Sequence, residues 1–296
     1  MKCIDARILQ IMLLWLLGCS SAFADVYWRP FNNDIKRADD DGSNITTVVT
    51  PASNGSAFSI DKSNNKLYWN EGGTIKRANL DGSSIETVFT GLSNPNSPSF
   101  DSGNSHLYIS DFNNNNIRRI GFDGTGDTTI LSNPNVADPS GTALDLTNNK
   151  VYWIHYNSQI IRRANLDGSS IETLINSGLS QGVAVAVDPA NNKMYFTDRS
   201  KLQSANLDGT GVATIDTSYA QGLDLDLASG KVYWGTAVGE VKRANLDGTG
   251  VETLFTGAGN IWTMAYMPSK PTAAAASVNL LDTAAPVYFS RKLADH

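Results

Sequence analysis

The chain has 296 residues, with 23 Lys plus Arg against 29 Asp plus Glu, a net charge of −6, and only two cysteines. A net-acidic surface repels phosphate backbones, which argues against nucleic acid as a partner. Cys3 and Cys19 both fall at the start of the chain, so zinc ribbons and disulfide-stapled modules are excluded from the remainder.

Lys2 and Arg7, then the apolar run Ile8 to Leu17, then Ala22-Phe23-Ala24, follow the order of a secretory signal peptide. The run is too short to span a bilayer. Cleavage after Ala24 is expected, giving an exported chain, periplasmic or extracellular. The alternative is a lipobox at Leu16-Leu17-Gly18-Cys19, which would leave a lipoprotein anchored at Cys19. Cleavage at Ala24 removes Lys2, Arg7 and Asp5, leaving 21 basic and 28 acidic side chains and no cysteine. No later stretch is apolar for long enough to form a transmembrane segment.

From Val26 onward one pattern is written six times. Its anchor begins at Tyr27, Tyr68, Tyr108, Tyr152, Tyr195 and Tyr233, at intervals of 41, 40, 44, 43 and 38 residues. The next residue is Trp28, Trp69, Ile109, Trp153, Phe196 or Trp234. An Ile-Lys-Arg-Ala-like stretch follows, as at Ile75 to Ala78, and then an Asp-Gly, as at Asp81-Gly82. A fixed period near 40 marks a repeat architecture. Within one copy, residues 150–174, VYWI, IIRRANL and IETLI read as strands, and Asp167-Gly168 as a turn. A fourth strand, GVAVAVD at 182–188, precedes the next anchor and ends in an Asp-x-x-Asn turn. Four strands at this period describe a propeller blade.

Neighbouring residues on a strand point to opposite faces. A Tyr-Trp pair therefore sends one ring into each seam between blades. The first copy lacks its own GVAVAVD-like strand, whereas a spare one, Ile261 to Tyr266, follows the last copy. The expected fold is all-β: a six-bladed β-propeller of four-stranded antiparallel blades, with the C-terminal strand completing the first blade. The expected domains are a leader at 1–24, the propeller at 25–268 and a poorly ordered tail at 269–296.

These residues resemble the YWTD repeat, also called the low-density lipoprotein receptor class B repeat. The signature K-[LV]-Y-W followed by I-x-R-A-N-L-D-G-S recurs over most of the chain. The resemblance implies a six-bladed propeller that docks other proteins outside the cell. Two departures qualify it. The fourth motif position is Asp only at Asp111 and Asp198, and the receptor's disulfide-rich flanking modules are absent, so the chain looks more like a bacterial single-propeller relative than a receptor.

The Asp-Gly and Asp-x-x-Asn turns, near copies of one another, fall on one rim, the bottom. Loops after the anchors fall on the other, the top, and differ from blade to blade. Variation confined to one rim fits a scaffold carrying a grafted site. The candidate ligand-binding groups there are Arg29, Phe31, Glu71, Phe112, His155, Tyr156, Arg199, Tyr219 and Trp262, a mixture that suits protein or glycan recognition. Asp224 stands alone in the channel, where the other inner strands carry Ser59, Ser99, Ala143 and Ala186. The repeated Arg37, Arg77, Arg119, Arg163 and Arg243 are expected to bond the Asp residues that end the inner strands.

Several motifs carry no chemistry. Gly178-Leu179-Ser180-Gln181-Gly182 matches a nucleophile elbow, but a strand rather than a helix follows it. His106, His155 and His296 are too scattered for a metal triad. The functional reading is a monomeric, non-catalytic binding scaffold without cofactor or metal. The alternatives are a metal-dependent, lactonase-like propeller hydrolase, with Asp138 and Asp224 as its acids, and a structural envelope or matrix component.

Overall fold

The computed structural model describes residues 24–31, 34–53, 55, 57–96 and 98–269. The leader up to Phe23, both cysteines and the stretch after Ser269 lie outside the described residues. Twenty-four strands among the described residues form six four-stranded antiparallel sheets. Blade 1 begins with β1 (Asp25–Pro30), β2 (Ile35–Asp39) and β3 (Thr46–Val49). Blade 2 is β4 (Phe58–Asp61), β5 (Lys66–Glu71), β6 (Thr74–Asn79) and β7 (Glu86–Phe89). Blade 3 is β8 (Ser99–Asp101), β9 (His106–Asp111), β10 (Asn116–Gly121) and β11 (Thr128–Ser132). Blade 4 is β12 (Pro139–Asp145), β13 (Lys150–His155), β14 (Ile161–Asn165) and β15 (Glu172–Ile175). Blade 5 is β16 (Ala184–Asp188), β17 (Lys193–Thr197), β18 (Leu202–Asn206) and β19 (Ala213–Asp216). Blade 6 is β20 (Ala220–Asp226), β21 (Lys231–Thr236), β22 (Val241–Asn245) and β23 (Glu252–Phe255). The last strand, β24 (Ile261–Met267), pairs antiparallel with β1 and completes blade 1, so the ring is closed by its own ends.

Period-two alternation sorts the anchors as expected. All six Tyr anchors are at most 2% exposed, and so are the residues that follow them. Six apolar clusters fill the six seams. Tyr27 shares one with Trp69, Tyr68 with Ile109, Tyr108 with Trp153, Tyr152 with Phe196, Tyr195 with Trp234, and Tyr233 closes the circle against Trp28. Each Tyr thus faces the next blade and its neighbour faces the previous one. A ring of this size buries on the order of 150–250 Å², and no single blade could hide both.

The repeated arginines do not reach the inner-strand carboxylates, which corrects the sequence expectation. Arg77 donates to Glu86 on the outer strand of its own blade (2.6 Å) and, through Nη1, to the Phe122 carbonyl of blade 3 (2.8 Å). Arg163 repeats the arrangement with Glu172 (2.7 Å) and the Leu207 carbonyl of blade 5 (3.0 Å). In blade 5, where Ser204 holds the arginine position, the Tyr hydroxyl makes the reach instead: Tyr195 donates to the Leu246 carbonyl at 2.8 Å. Asp61, Asp101, Asp145 and Asp188 instead cap their own turns, each Oδ2 accepting from the Asn three residues on at 2.7–2.8 Å. In blade 6 that position is Ser229, and the Asp226 Oδ2 is buried without a partner.

The bottom connections are constrained from two sides. Gly82, Gly124, Gly168 and Gly209 have φ of +81° to +86°, where glycine meets no steric penalty. A Cβ on Gly82 or Gly124 would also stand 2.0 Å from a carbonyl oxygen on the outer strand of the preceding blade.

Candidate functional site

The inner strands enclose a central cavity of 810 Å³ whose lining runs from Phe112 and Trp262 at the top to Lys62 and Leu227 at the bottom. Its walls are mostly small or aliphatic: Ser59, Ser99, Ala143, Ala186 and Ala265, each directly opposite a Tyr anchor in the strand register. Asp224 holds the sixth equivalent position, opposite Tyr233. It is not a free carboxylate. Its Oδ2 accepts the Tyr266 backbone N–H (2.8 Å) and pairs with Lys62 Nζ of blade 2 (2.8 Å), while its Oδ1 accepts the Leu225 N–H (2.8 Å). One side chain of blade 6 therefore ties the closing strand and blade 2 across the ring. Asp138, the other acid weighed for catalysis, accepts from Asn157 Nδ2 at 2.8 Å. Among the described residues, no three His, Cys, Asp or Glu side chains gather as a metal ion would require.

Three of the nine candidate rim residues are parts of the frame rather than exposed groups. Arg29 is 1% exposed. It lies on the same strand face as Tyr27, hence toward blade 2, where its Nη1 donates to the Ala57 and Asn70 carbonyls (3.3 and 3.2 Å) and to Asn70 Oδ1 (3.2 Å). Burial pulls its pKa down to about 10, which still leaves it charged at neutral pH. His155 is also 1% exposed, and its Nε2 accepts the Trp153 indole N–H at 3.0 Å. Burial, with Arg162 nearby, lowers its pKa to about 4, so it stays the neutral acceptor that the indole needs. Glu71 does the same for Trp69 (3.0 Å) and pairs with Lys76 (2.8 Å). Hydrogen bonds from the Trp69 indole and Lys76 hold its carboxyl below its usual range against the upward pull of burial. A buried indole N–H needs an acceptor, and these blades supply it two residues on, on the same face.

The other six come together from five blades, Phe31, Phe112, Tyr156 and Trp262 lining the cavity and Arg199 and Tyr219 packed against them. Phe31 and Trp262 of blade 1 sit 5.3 Å apart between ring centroids. Phe112 of blade 3 meets Tyr156 of blade 4 edge to face at 5.9 Å. Between these pairs lies Arg199 of blade 5, its guanidinium carbon 5.9 Å from the Tyr156 centroid, 5.2 Å from that of Tyr219 and 5.5 Å from that of Trp262. The result is a continuous arc, Phe112–Tyr156–Arg199–Trp262–Phe31, with Tyr219 of blade 6 stacked at its centre. Phe31 is 49% exposed and Tyr219 39%. Arg199 Nη1 also donates to the Tyr156 hydroxyl and to Gln181 Oε1 (3.1 Å).

Local chemistry sets the arc in place. Arg199 has φ +59°, a left-handed conformation that most side chains avoid. The preceding Asp198 is fully buried and pins the turn: it accepts the backbone N–H groups of Ser180 (3.0 Å), Ser200 (3.1 Å) and Lys201 (3.0 Å). Asp111 does the equivalent before Phe112, accepting from Ser93 and Asn94. The two blades that keep Asp at the fourth motif position are thus two that present a rim group immediately after it. Gln181, which links Arg199 to Tyr156, was passed over in sequence because it sits inside the G-x-S-x-G stretch.

Comparison with known proteins agrees with this picture. Residues 149–189, spanning β13 to β16, match the family model of the low-density lipoprotein receptor repeat class B. A chain in the crystal structure of a nidogen/laminin complex superposes with a TM-score of 0.74, at 16% identity, covering 83% of this chain and 99% of that one. At that identity the likeness concerns the fold. No helix among the described residues is long and apolar enough to cross a membrane. One stretch of the chain thus matches the low-density lipoprotein receptor class B repeat, and the whole folds as a closed ring of six four-stranded blades, a six-bladed β-propeller.

Proposed function

We propose that the protein is an exported, monomeric, non-catalytic scaffold that binds another protein through the top-rim arc. The observation that carries this reading is that six side chains from five blades come together: Phe31, Phe112, Tyr156 and Trp262 line the cavity, and Arg199 and Tyr219 pack against them. Scattered exposed rings are ordinary on a protein surface; a contiguous set of Trp, Tyr, Phe and Arg around a concavity is the composition of an interface core. Protein is favoured over glycan by how the rings are used. Sugar platforms offer a flat ring face to a pyranose, whereas here Arg199 lies over the faces of Tyr156, Tyr219 and Trp262, and the flanking pairs are tilted by 58° and 74°. The complex containing the superposable propeller is itself a protein–protein one. Export rests on the leader ending at Ala24, with a lipid anchor at Cys19 as its alternative.

The test is affinity capture from the native extracellular or periplasmic fraction with three baits: wild type, a Tyr219→Ala/Trp262→Ala rim variant, and Leu227→Ala on the opposite rim. The expected partner is retained by the first and third baits and lost from the second. Equal capture by all three folded baits overturns the rim assignment.

A further inference from the structure

The arc contains a charge that the molecule leaves unanswered. Arg199 forms no ion pair among the described residues, and its Nη2 makes no hydrogen bond there; its Nε is buried without a partner. Asp34, Asp138 and Glu240 of the top loops form no ion pair with Arg199, and the other acids there are committed elsewhere. Glu71 pairs with Lys76, Asp216 pairs with Lys242 at 2.6 Å, and Asp111 and Asp198 cap their loops. Arg199 is half-buried among these rings, and a partly buried cation without a counter-ion is a favourable place for an anion. An incoming carboxylate would supply the counter-ion and gain a charge-assisted hydrogen bond from the free Nη2. The exposed rings of Phe31, beside Trp262, and Tyr219, beside Arg199, offer apolar ledges for the residues flanking that carboxylate.

We infer that the partner segment received at the rim is an extended acidic peptide, with an Asp or Glu side chain that reaches Arg199 and apolar neighbours that rest on the rings. This inference deepens the rim-binding proposal and rests on it. The favourable term is charge complementarity at one point, which gives specificity and salt dependence more than bulk affinity.

The probe is a displayed library of random linear peptides selected on the wild-type protein, followed by synthesis of one enriched peptide. The expected peptides carry an Asp or Glu beside an aromatic or aliphatic residue. Replacing that acid by its amide should weaken binding to wild type by about ten- to a hundredfold, and should have little effect on Arg199→Gln. Binding to wild type should weaken as salt rises, and binding to Arg199→Gln should not. Arg199→Lys, which keeps the charge and loses the fork, should fall between them. If the acid-to-amide change costs the same on wild type and on Arg199→Gln, the acidic-ligand inference fails, yet rim binding stands provided Tyr219→Ala/Trp262→Ala abolishes binding. Peptides that bind that rim variant as well as wild type overturn both proposals. Failure to enrich any peptide, or preferential binding of an oligoglucuronate at the rim, overturns the peptide class.

Discussion

His155 makes stability depend on pH in a window where few other groups titrate. Folded, its pKa lies at about 4, because burial and Arg162 oppose the imidazolium. Unfolded, it returns to about 6.5. Below pH 6.5 the unfolded chain therefore takes up a proton that the folded chain refuses. The stabilisation is complete above pH 6.5, declines as pH falls, and bottoms out near pH 4. Linkage over this interval amounts to about 2 kcal/mol between pH 7 and pH 5, and about 3 kcal/mol in all. For a domain of this size, 2 kcal/mol corresponds to a fall in Tm of about 4–8 °C. The assay is thermal unfolding by circular dichroism at pH 7 and pH 5, for wild type and for His155→Gln. Glutamine keeps an oxygen able to accept the Trp153 indole but does not titrate. Wild type should lose about 2 kcal/mol more than the variant over this interval. If both lose the same amount, His155 is not held neutral, and the account of its bond to Trp153 fails with it.

Three further outcomes follow from the seams and turns. Trp153→Ala empties a fully buried ring site between blades 3 and 4 and should destabilise by about 3–5 kcal/mol; unchanged thermal unfolding would refute the seam assignment. Ser229→Asn should restore the cap that the other turns have, give Asp226 Oδ2 a donor and stabilise by about 1 kcal/mol in denaturant unfolding. Gly168→Ala should cost at least about 1 kcal/mol more than Gly178→Ala, although both glycines have left-handed φ, +86° and +83°. The difference lies in what a Cβ would meet: the Ile130 carbonyl oxygen at 2.2 Å for Gly168, and nothing within 4 Å for Gly178.

Much of this molecule was legible as period and parity. The six anchors, the closing strand Ile261 to Met267 and the Tyr-Trp division between seams follow from strand alternation alone. The same alternation could have reassigned three candidate rim groups. Arg29 shares a face with Tyr27, so it had to enter the seam with blade 2; Glu71 and His155 share a face with Trp69 and Trp153, so they had to meet the indoles. Proximity to a loop was given too much weight there. The arc itself was legible as a list of residue types but not as a juxtaposition, because Tyr156, Tyr219 and Trp262, the partners of Arg199, belong to three other blades. The Arg77 and Arg163 contacts were illegible for a related reason: their acceptors are backbone carbonyls of the next blade, which leave no side-chain signature.

The contrast between the two rims has a physical cause. At the bottom, each Asp-Gly turn bonds its own Ser or Thr, and in most blades its glycine abuts the preceding blade's outer strand while a carbonyl beside it accepts from that blade's Tyr or Arg. A change in one turn therefore strains two blades, and the turns stay alike. At the top, the loops need only return the chain, so their side chains can differ. The blades that present Phe112 and Arg199 still stiffen those loops with a buried Asp. Closure at the seam between blades 6 and 1 likewise relies on side chains found nowhere else in the ring, Asp224 with Lys62 below and the Tyr233–Tyr266 stack at 4.0 Å. Stability is thus distributed over six near-identical seams and their turns, while the proposed recognition rests on six side chains set in loops that differ from blade to blade. Loss of a rim residue such as Tyr219 should leave the ring intact, whereas loss of a seam residue such as Trp153 should weaken the fold that holds every rim residue in place.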